Sequence, residues 1–185
     1  MPPVYQTVLL GGMVGTYPFL WGRGTVFPTV PAPVAGDRFT RSDRGIDYEW
    51  DGTRWLSVAL YSEQLFSSAA FQPFAITAGA EDRLSAPYAG IYDLWLVDYQ
   101  PVFFVTGGAP LDALNKWVGI FYKAATPLAT VNIDSGALNT WRAPGPIAIG
   151  ALLGIANLEF ETNYTLTGGA GTLRSLPRLT YRYVG

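Results

Sequence analysis

The sequence contains no cysteine and no histidine. The first absence removes disulfides and thiol nucleophiles, and the second removes the commonest general base, so Ser-His-Asp and Cys-His schemes are excluded. Zinc sites built from those residue types are excluded with them. Charge is also scarce: Asp, Glu, Lys and Arg make up 14% of the 185 residues, against about 25% in an average domain. The net charge is −2. A chain without basic excess is a poor phosphate binder, which argues against nucleic acid as a partner. No basic stretch leads into an apolar one at the N-terminus, so no signal peptide is expected. The charge-free run 143–158 (APGPIAIGALLGIANL) is interrupted by Pro144, Pro146 and glycines. It also falls short of the roughly 18–20 residues of a membrane helix, so no membrane insertion is expected. There is no GxxxxGK[ST] loop, no repeat of fixed period and no heptad pattern, hence no coiled-coil shaft.

What remains is apolar and aromatic. Half the residues are hydrophobic (49%), 15% are aromatic, and 21 glycines and 14 prolines punctuate them. That is enough to fill one ordinary core, with or without a small attachment. It also points to short strands and tight turns. With so few charges, part of the surface is expected to meet other protein chains.

Residues 1–35 carry one charge, Arg23. Gly and Pro recur too often for a long helix, and the segment is too apolar for a solvated tail. Such an arm lies either on its own domain's core or on a neighbouring subunit. We read it as an extended anchoring arm and linker that lies on a neighbour. The candidate anchor residues are Val8, Leu9, Leu10, Tyr17, Phe19, Leu20, Trp21 and Phe27. PTVPAP (28–33) reads as extended linker.

Residues 36–57, GDRFTRSDRGIDYEWDGTRWLS, hold nine of the 26 charged residues among four aromatics. Four bases (Arg38, Arg41, Arg44, Arg54) face five acids (Asp37, Asp43, Asp47, Glu49, Asp51), which reads as local ion pairing. Arg38–Arg41 fits a strand, and Ser42-Asp43-Arg44-Gly45 has turn chemistry with Gly where φ is positive. Ile46, Tyr48 and Trp50 alternate with Asp47 and Glu49, the period of a half-buried strand. Asp51-Gly52 suits a two-residue hairpin turn, and Thr53–Ser57 returns with Trp55 crossing to the aromatic face. The module residues are therefore Phe39, Arg41, Asp43, Tyr48, Trp50, Asp51, Gly52, Arg54 and Trp55, with charges on one side and aromatics on the other.

Residues 58–185 read as strand after strand. Alternation is clean in 155–164 and 178–184; 116–123 is a continuous aromatic and aliphatic run between two lysines, and 91–99 is apolar on both faces, suited to a central strand. Further candidates are 56–61, 72–77, 101–106, 128–133 and 147–153, and 110–117 could include one helical turn. The spacing is that of an antiparallel β-sandwich, jelly-roll-like. The fold class is thus all-β.

No catalytic residue, cofactor or metal site is assigned. Glu159 and Glu161 stand two apart on the expected solvent face of a strand, where a carboxylate pair is usually only solvated. Asp43, Asp47 and Asp51 share a spacing but fall in different local settings, which weakens a calcium reading. GGAGT (168–172) is more simply a loop between strands than a phosphate cradle. Exposed aromatics on a sandwich could stack on sugars, although no exposed row is visible in sequence. Asn163-Tyr164-Thr165 matches a glycosylation acceptor, a pattern common by chance.

The stretch PAPVAGDRFTRSDRGIDYEWDGTRWLS resembles a segment of bacteriophage virion structural proteins, tail-fibre-like or head-decoration, of the form G-x-R-F-x-R-[TS]-D…Y-x-[YW]-D-G-T-R-W-L. The matching residues are Gly36, Arg38, Phe39, Arg41, Asp43, Gly45, Tyr48, Trp50, Asp51, Gly52, Thr53, Arg54, Trp55 and Leu56, with Ser42 where Thr is commoner. PYAGIYDLWLVDYQ, NKWVGIFYK, LNTWRAPGPIAIGALLG and LTYRYVG follow in similar order. The resemblance implies a non-enzymatic virion protein assembled in the host cytoplasm. It would be a homotrimer whose partners are other capsid or tail proteins, ending in a sandwich that looks like a carbohydrate- or receptor-binding head. The short chain without a shaft favours a capsid decoration or cement protein, or a small head appendage, over a tail fibre gripping host surface glycans. A free carbohydrate-binding module is the reading from another class.

Overall fold

The computed structural model describes residues 9–10, 13–14, 21–30, 32–64, 74–76, 86–87, 92–123, 125–153 and 159–185. Among them there are strands and turns and no helix, so the all-β expectation holds. The chain forms two compact units, Met1–Leu60 with Arg182–Gly185, and Tyr61–Tyr181.

In the first unit, β1 (Leu9–Leu10) and β2 (Met13–Val14) form a short antiparallel ladder. A four-stranded sheet follows, built from β3 (Trp21–Gly24), β4 (Arg38–Arg41), β5 (Ile46–Trp50) and β6 (Trp55–Ser57) in that order. The strands β4, β5 and β6 form the expected meander. β3 was expected in a detached arm. It pairs in parallel with β4 instead, Trp21 opposite Arg38 and Gly24 opposite Arg41. Gly22 permits this: a Cβ there would stand 2.7 Å from the Phe39 ring. The expected arm and hairpin module are therefore one unit. The end of the chain closes it: Leu56 bridges Val184, the Gly185 amide donates to the Trp55 carbonyl at 2.9 Å, and the Tyr183 amide donates to Ser57 Oγ at 3.0 Å.

The second unit comprises β7 (Tyr61–Gln64), β8 (Phe74–Ile76), β9 (Ala86–Pro87), β10 (Leu94–Gln100), β11 (Phe103–Gly108), β12 (Lys116–Lys123), β13 (Thr126–Ile133), β14 (Ile147–Leu153), β15 (Glu159–Thr167), β16 (Ala170–Ser175) and β17 (Arg178–Tyr183). β17 reaches this unit through Arg178–Tyr181. Two four-stranded sheets run β14-β10-β17-β7 and β13-β12-β15-β9, and a three-stranded sheet runs β11-β16-β8. Apart from the β12–β13 hairpin, early strands pair with late ones, β7 with β17 and β10 with β14, β9 and β12 with β15. That interleaving is the strand order of a jelly roll, a sandwich of two Greek keys. Of the expected central strand 91–99, Leu94–Tyr99 lie in β10, an interior strand of its sheet, and residue 91 lies outside the described residues.

Three expectations change. The single strand over 56–61 is split into β6 and β7, because the buried Ser57 hydroxyl donates to the Ala59 carbonyl at 2.8 Å and turns the chain there. The helical turn within 110–117 is absent. The Asp112 carboxylate accepts from the Leu114 and Asn115 amides at 2.7 and 2.8 Å, an Asx turn that competes with helix, and β12 begins at Lys116. Of the expected strands 72–77 and 155–164, residues 72–73, 77 and 155–158 lie outside the described residues.

The sandwich core gathers Trp117, Tyr164, Leu173, Ile133, Val131, Phe103, Val105 and Leu111. Trp117 is 0% exposed and its indole Nε1 donates to the Gly171 carbonyl at 2.9 Å. Tyr99 of β10 stacks on Phe121 of β12, ring centroids 4.5 Å apart, which joins the two larger sheets face to face. Tyr164 hydrogen-bonds Ser175. Burial disfavours the ionised form of both tyrosine hydroxyls and raises their pKa: Tyr99 lies well above 10.0, helped by the nearby Tyr164, and Tyr164 is raised despite its bond to Ser175. The sign follows from proton linkage. Below pH 10 both states keep these protons and stability is unaffected; above it the unfolded chain releases them while the fold does not. The sandwich should therefore lose stability as pH rises beyond 10, read as falling urea midpoints between pH 8 and 11. Tyr164→Phe should have the shallower slope.

Candidate functional site

The strongest concentration of side-chain chemistry is the first unit's sheet. Alternation places Phe39, Tyr48 and Trp55 on one face, all buried, with Ile46, Trp50, Tyr183 and Phe27 packed against them. Phe27 is the hub. Its ring stacks on Trp55 at 5.2 Å, meets Tyr48 edge-on at 5.0 Å and lies 5.6 Å from Phe39. Trp50 meets Trp55 edge-on at 5.5 Å. Such pairs each add about 0.5–1.5 kcal/mol beyond burial.

Every charged residue in 36–57 has a partner within the unit. Arg38 pairs with Glu49 across the β4–β5 ladder at 3.1 Å. Thr40 donates to Asp47 at 2.6 Å. Arg41 makes a bidentate pair with Asp43 at 2.8 and 2.9 Å, and the hydrogen bond from Arg41 holds the Asp43 carboxyl down at about 2. Arg44 donates to the Tyr48 hydroxyl at 3.2 Å. Asp37 accepts from the Val34 amide at 2.8 Å. Asp51 accepts from the Thr53 and Arg54 amides at 2.7 and 2.8 Å and lies 3.5 Å from Arg54 Nε.

Two expected details are corrected. The turn after Trp50 has four residues, Asp51–Arg54, because Trp50 pairs with Trp55 and the Asp51 carboxylate organises the loop. Charges and aromatics are not fully segregated, since the Arg41 guanidinium sits 4.8 Å over the Phe27 ring, a cation–π contact. Gly45 does take a positive φ, 67°. A Cβ there would meet nothing within 4 Å, so Gly45→Ala isolates the backbone cost. It should lower the unit's stability by about 1–2 kcal/mol, seen as a lower melting temperature.

Among the arm candidates, Val8, Tyr17, Phe19 and Leu20 lie outside the described residues, Leu9 and Leu10 form β1, and Trp21 opens β3. Phe27 is corrected: it fills its own unit's cluster instead of lying free for a neighbour, because β3 docks on β4. The neighbouring valines behave differently. Val26, Val30 and Val34 are 75%, 79% and 55% exposed. Sequence reasoning missed this division, for which the only signal is Pro28 beside Phe27.

Elsewhere, Asp43, Asp47 and Asp51 are spent on Arg41, Thr40 and the turn amides. No group of three or more metal-ligating side chains occurs among the described residues. Glu159 and Glu161 stand opposite Pro87 and Tyr122 in the β15 ladders. Asn163 is half-buried within β15, opposite Ile120, a poor position for glycosylation. Gly168 and Gly169 form the turn between β15 and β16.

No protein-family model matches this sequence, and no curated protein does. Among solved structures, a mutant VP2 protein of infectious bursal disease virus in derived T=1 particles aligns with 75% of this chain and 38% of its own, at 13% identity and TM-score 0.40. The Gx strain of that virus aligns with 75% and 39%, at 12% identity and TM-score 0.36. A Bacillus endospore appendage, described as forming disulfide-linked pili, aligns with 68% and 88%, at 15% identity and TM-score 0.34. The chain thus spans about two fifths of the virus proteins' length. At such values these likenesses carry no argument about what the chain does.

Proposed function

We infer that this chain is a non-enzymatic structural protein of a bacteriophage virion, held in the particle by its N-terminal unit and presenting the jelly roll as its head. One observation carries the reading: all nine charges and all four aromatics of the 36–57 motif are consumed in folding their own module. A motif whose residues are spent this way marks a building block, not a reaction centre. The exposed valines beside it, in a stretch with no charge between Arg23 and Asp37, support burial against another chain. Within that reading, capsid decoration, cementing or a small head appendage is the role we propose. Assembly as a homotrimer would bury further low-charge surface, and sedimentation of the purified chain reads it.

The test replaces Val26, Val30 and Val34 together by serine, leaving β3 and Phe27 in place. Particles should form with little of the variant in them, while the protein itself melts close to the native temperature. Incorporation at the native level would overturn the anchoring role.

A further inference from the structure

The outer face of the β11-β16 sheet carries a row of side chains that the core does not use. Phe103 and Val105 point into the core, so Phe104 between them points outward. The chain at 139–142 runs alongside β11. Phe103 and Arg142 exchange both backbone hydrogen bonds at 2.9 Å, and the Asn139 amide donates to the Val105 carbonyl at 2.8 Å. That register sets Trp141 beside Phe104, ring centroids 5.3 Å apart. On the other side of β11, Phe104 stands opposite Arg174 of β16. Trp141, Phe104 and Arg174 therefore lie in line across one face, spanning roughly 10 Å, two strand spacings.

The Trp141 ring is 43% exposed, yet its loop is held firmly. The Arg142 guanidinium donates to the carbonyls of Ser135 and Ala137 and lies 5.9 Å from the Phe103 ring. Asn139, two residues before the tryptophan, has φ 60°, the only positive value at a non-glycine among the described residues. Asparagine takes this left-handed conformation more readily than other non-glycine residues, and here it starts the segment that runs beside β11. A rigidly held, solvent-facing aromatic loses little freedom on binding.

The geometry points to a glycan site on this face, for a pyranose chain bearing a carboxylate. The weakly positive C–H face of a pyranose lies against the negative face of an aromatic ring, which Trp141 offers with Phe104 beside it. Arg174, exposed and without an ion pair among the described residues, supplies a fork that matches a carboxylate on the adjoining sugar. The inference is separate from the anchoring reading, since a protein fixed in a particle can carry such a site or lack it.

The test is calorimetric titration of the full chain with trigalacturonate, its methyl ester, 3′-sialyllactose and lactose. Binding of trigalacturonate alone assigns uronic acids, and binding of 3′-sialyllactose alone assigns sialic acids. In either case the neutral counterpart should bind about tenfold more weakly. Trp141→Ala should abolish binding with the melting temperature unchanged, and Trp141→Phe should keep part of it. Arg174→Gln should bring the acidic probe down to the neutral one. No binding of either acid, equal binding of acid and neutral forms, or binding that survives Trp141→Ala would each overturn the assignment. Loss of Trp141→Ala protein from particles without any sugar binding would instead mark the row as a protein contact and overturn it equally.

Discussion

Replacing Trp117 by alanine should unfold the jelly roll under conditions where the native chain is stable. Among the described residues Trp117 is the largest fully buried side chain, and it sits in β12 among Ile133, Tyr164 and Leu173. Truncation of a buried tryptophan costs about 3–5 kcal/mol. It also strands the Gly171 carbonyl that the indole satisfies at 2.9 Å, at a further cost of about 1–3 kcal/mol. Against a total stability of about 5–15 kcal/mol, the sum removes most of the margin. Urea denaturation followed by far-ultraviolet circular dichroism should place the variant's midpoint near zero denaturant. Trp117→Phe keeps most of the volume and should lose far less. A Trp117→Ala midpoint close to the native one would mean that this cluster is not the core.

Phe27→Ala should melt the N-terminal unit while leaving the jelly roll folded. The aromatic cluster around Phe27 is drawn from the first unit's residues and the cluster around Trp117 from the second's, so damage to one cluster should stay there. Phe27 touches Trp55, Tyr48 and Phe39 and lies under Arg41. Its loss should cost about 3 kcal/mol or more, a large share for so small a sheet. Hydrogen exchange should show β3 to β6 losing protection and β10 and β12 keeping it. Val26→Ser, Val30→Ser and Val34→Ser, on exposed positions, should change stability by about 0.5 kcal/mol or less but reduce incorporation into particles. The contrast between Phe27 and its neighbouring valines separates folding from anchoring within one short segment.

These two regions differed in how much their sequence disclosed. Strand β12 is legible at both ends because lysines bound an unbroken apolar run, and β14 because Pro-Gly-Pro precedes it. Local periodicity also located β4 and β5, and the glycine turn between them. It did not disclose β3. A parallel partner reached through a proline-rich crossover depends on a contact remote in sequence, and Trp21–Gly24 has no period of its own. The Asp112 loop looked helical because its residue types tolerate helix; one carboxylate capturing two amides decided otherwise. The β10–β14 pairing hid a bulge in the same way. Ile149 and Gly150 together stand opposite Val97, with Gly150 at φ 63°, and this moves the next buried residue after Leu96 to Tyr99. The row of Trp141, Phe104 and Arg174 comes from three distant segments and has no trace in the linear order.

The account turns on this protein being a resident part of a particle. Quantitative mass spectrometry of purified virions, produced from the genome that encodes the chain, measures that directly. The expected result is a fixed copy number that survives density-gradient purification: hundreds if it covers the shell, a few to a few tens if it caps an appendage. Recovery of the protein only in the soluble lysate, with virions complete without it, would contradict the account.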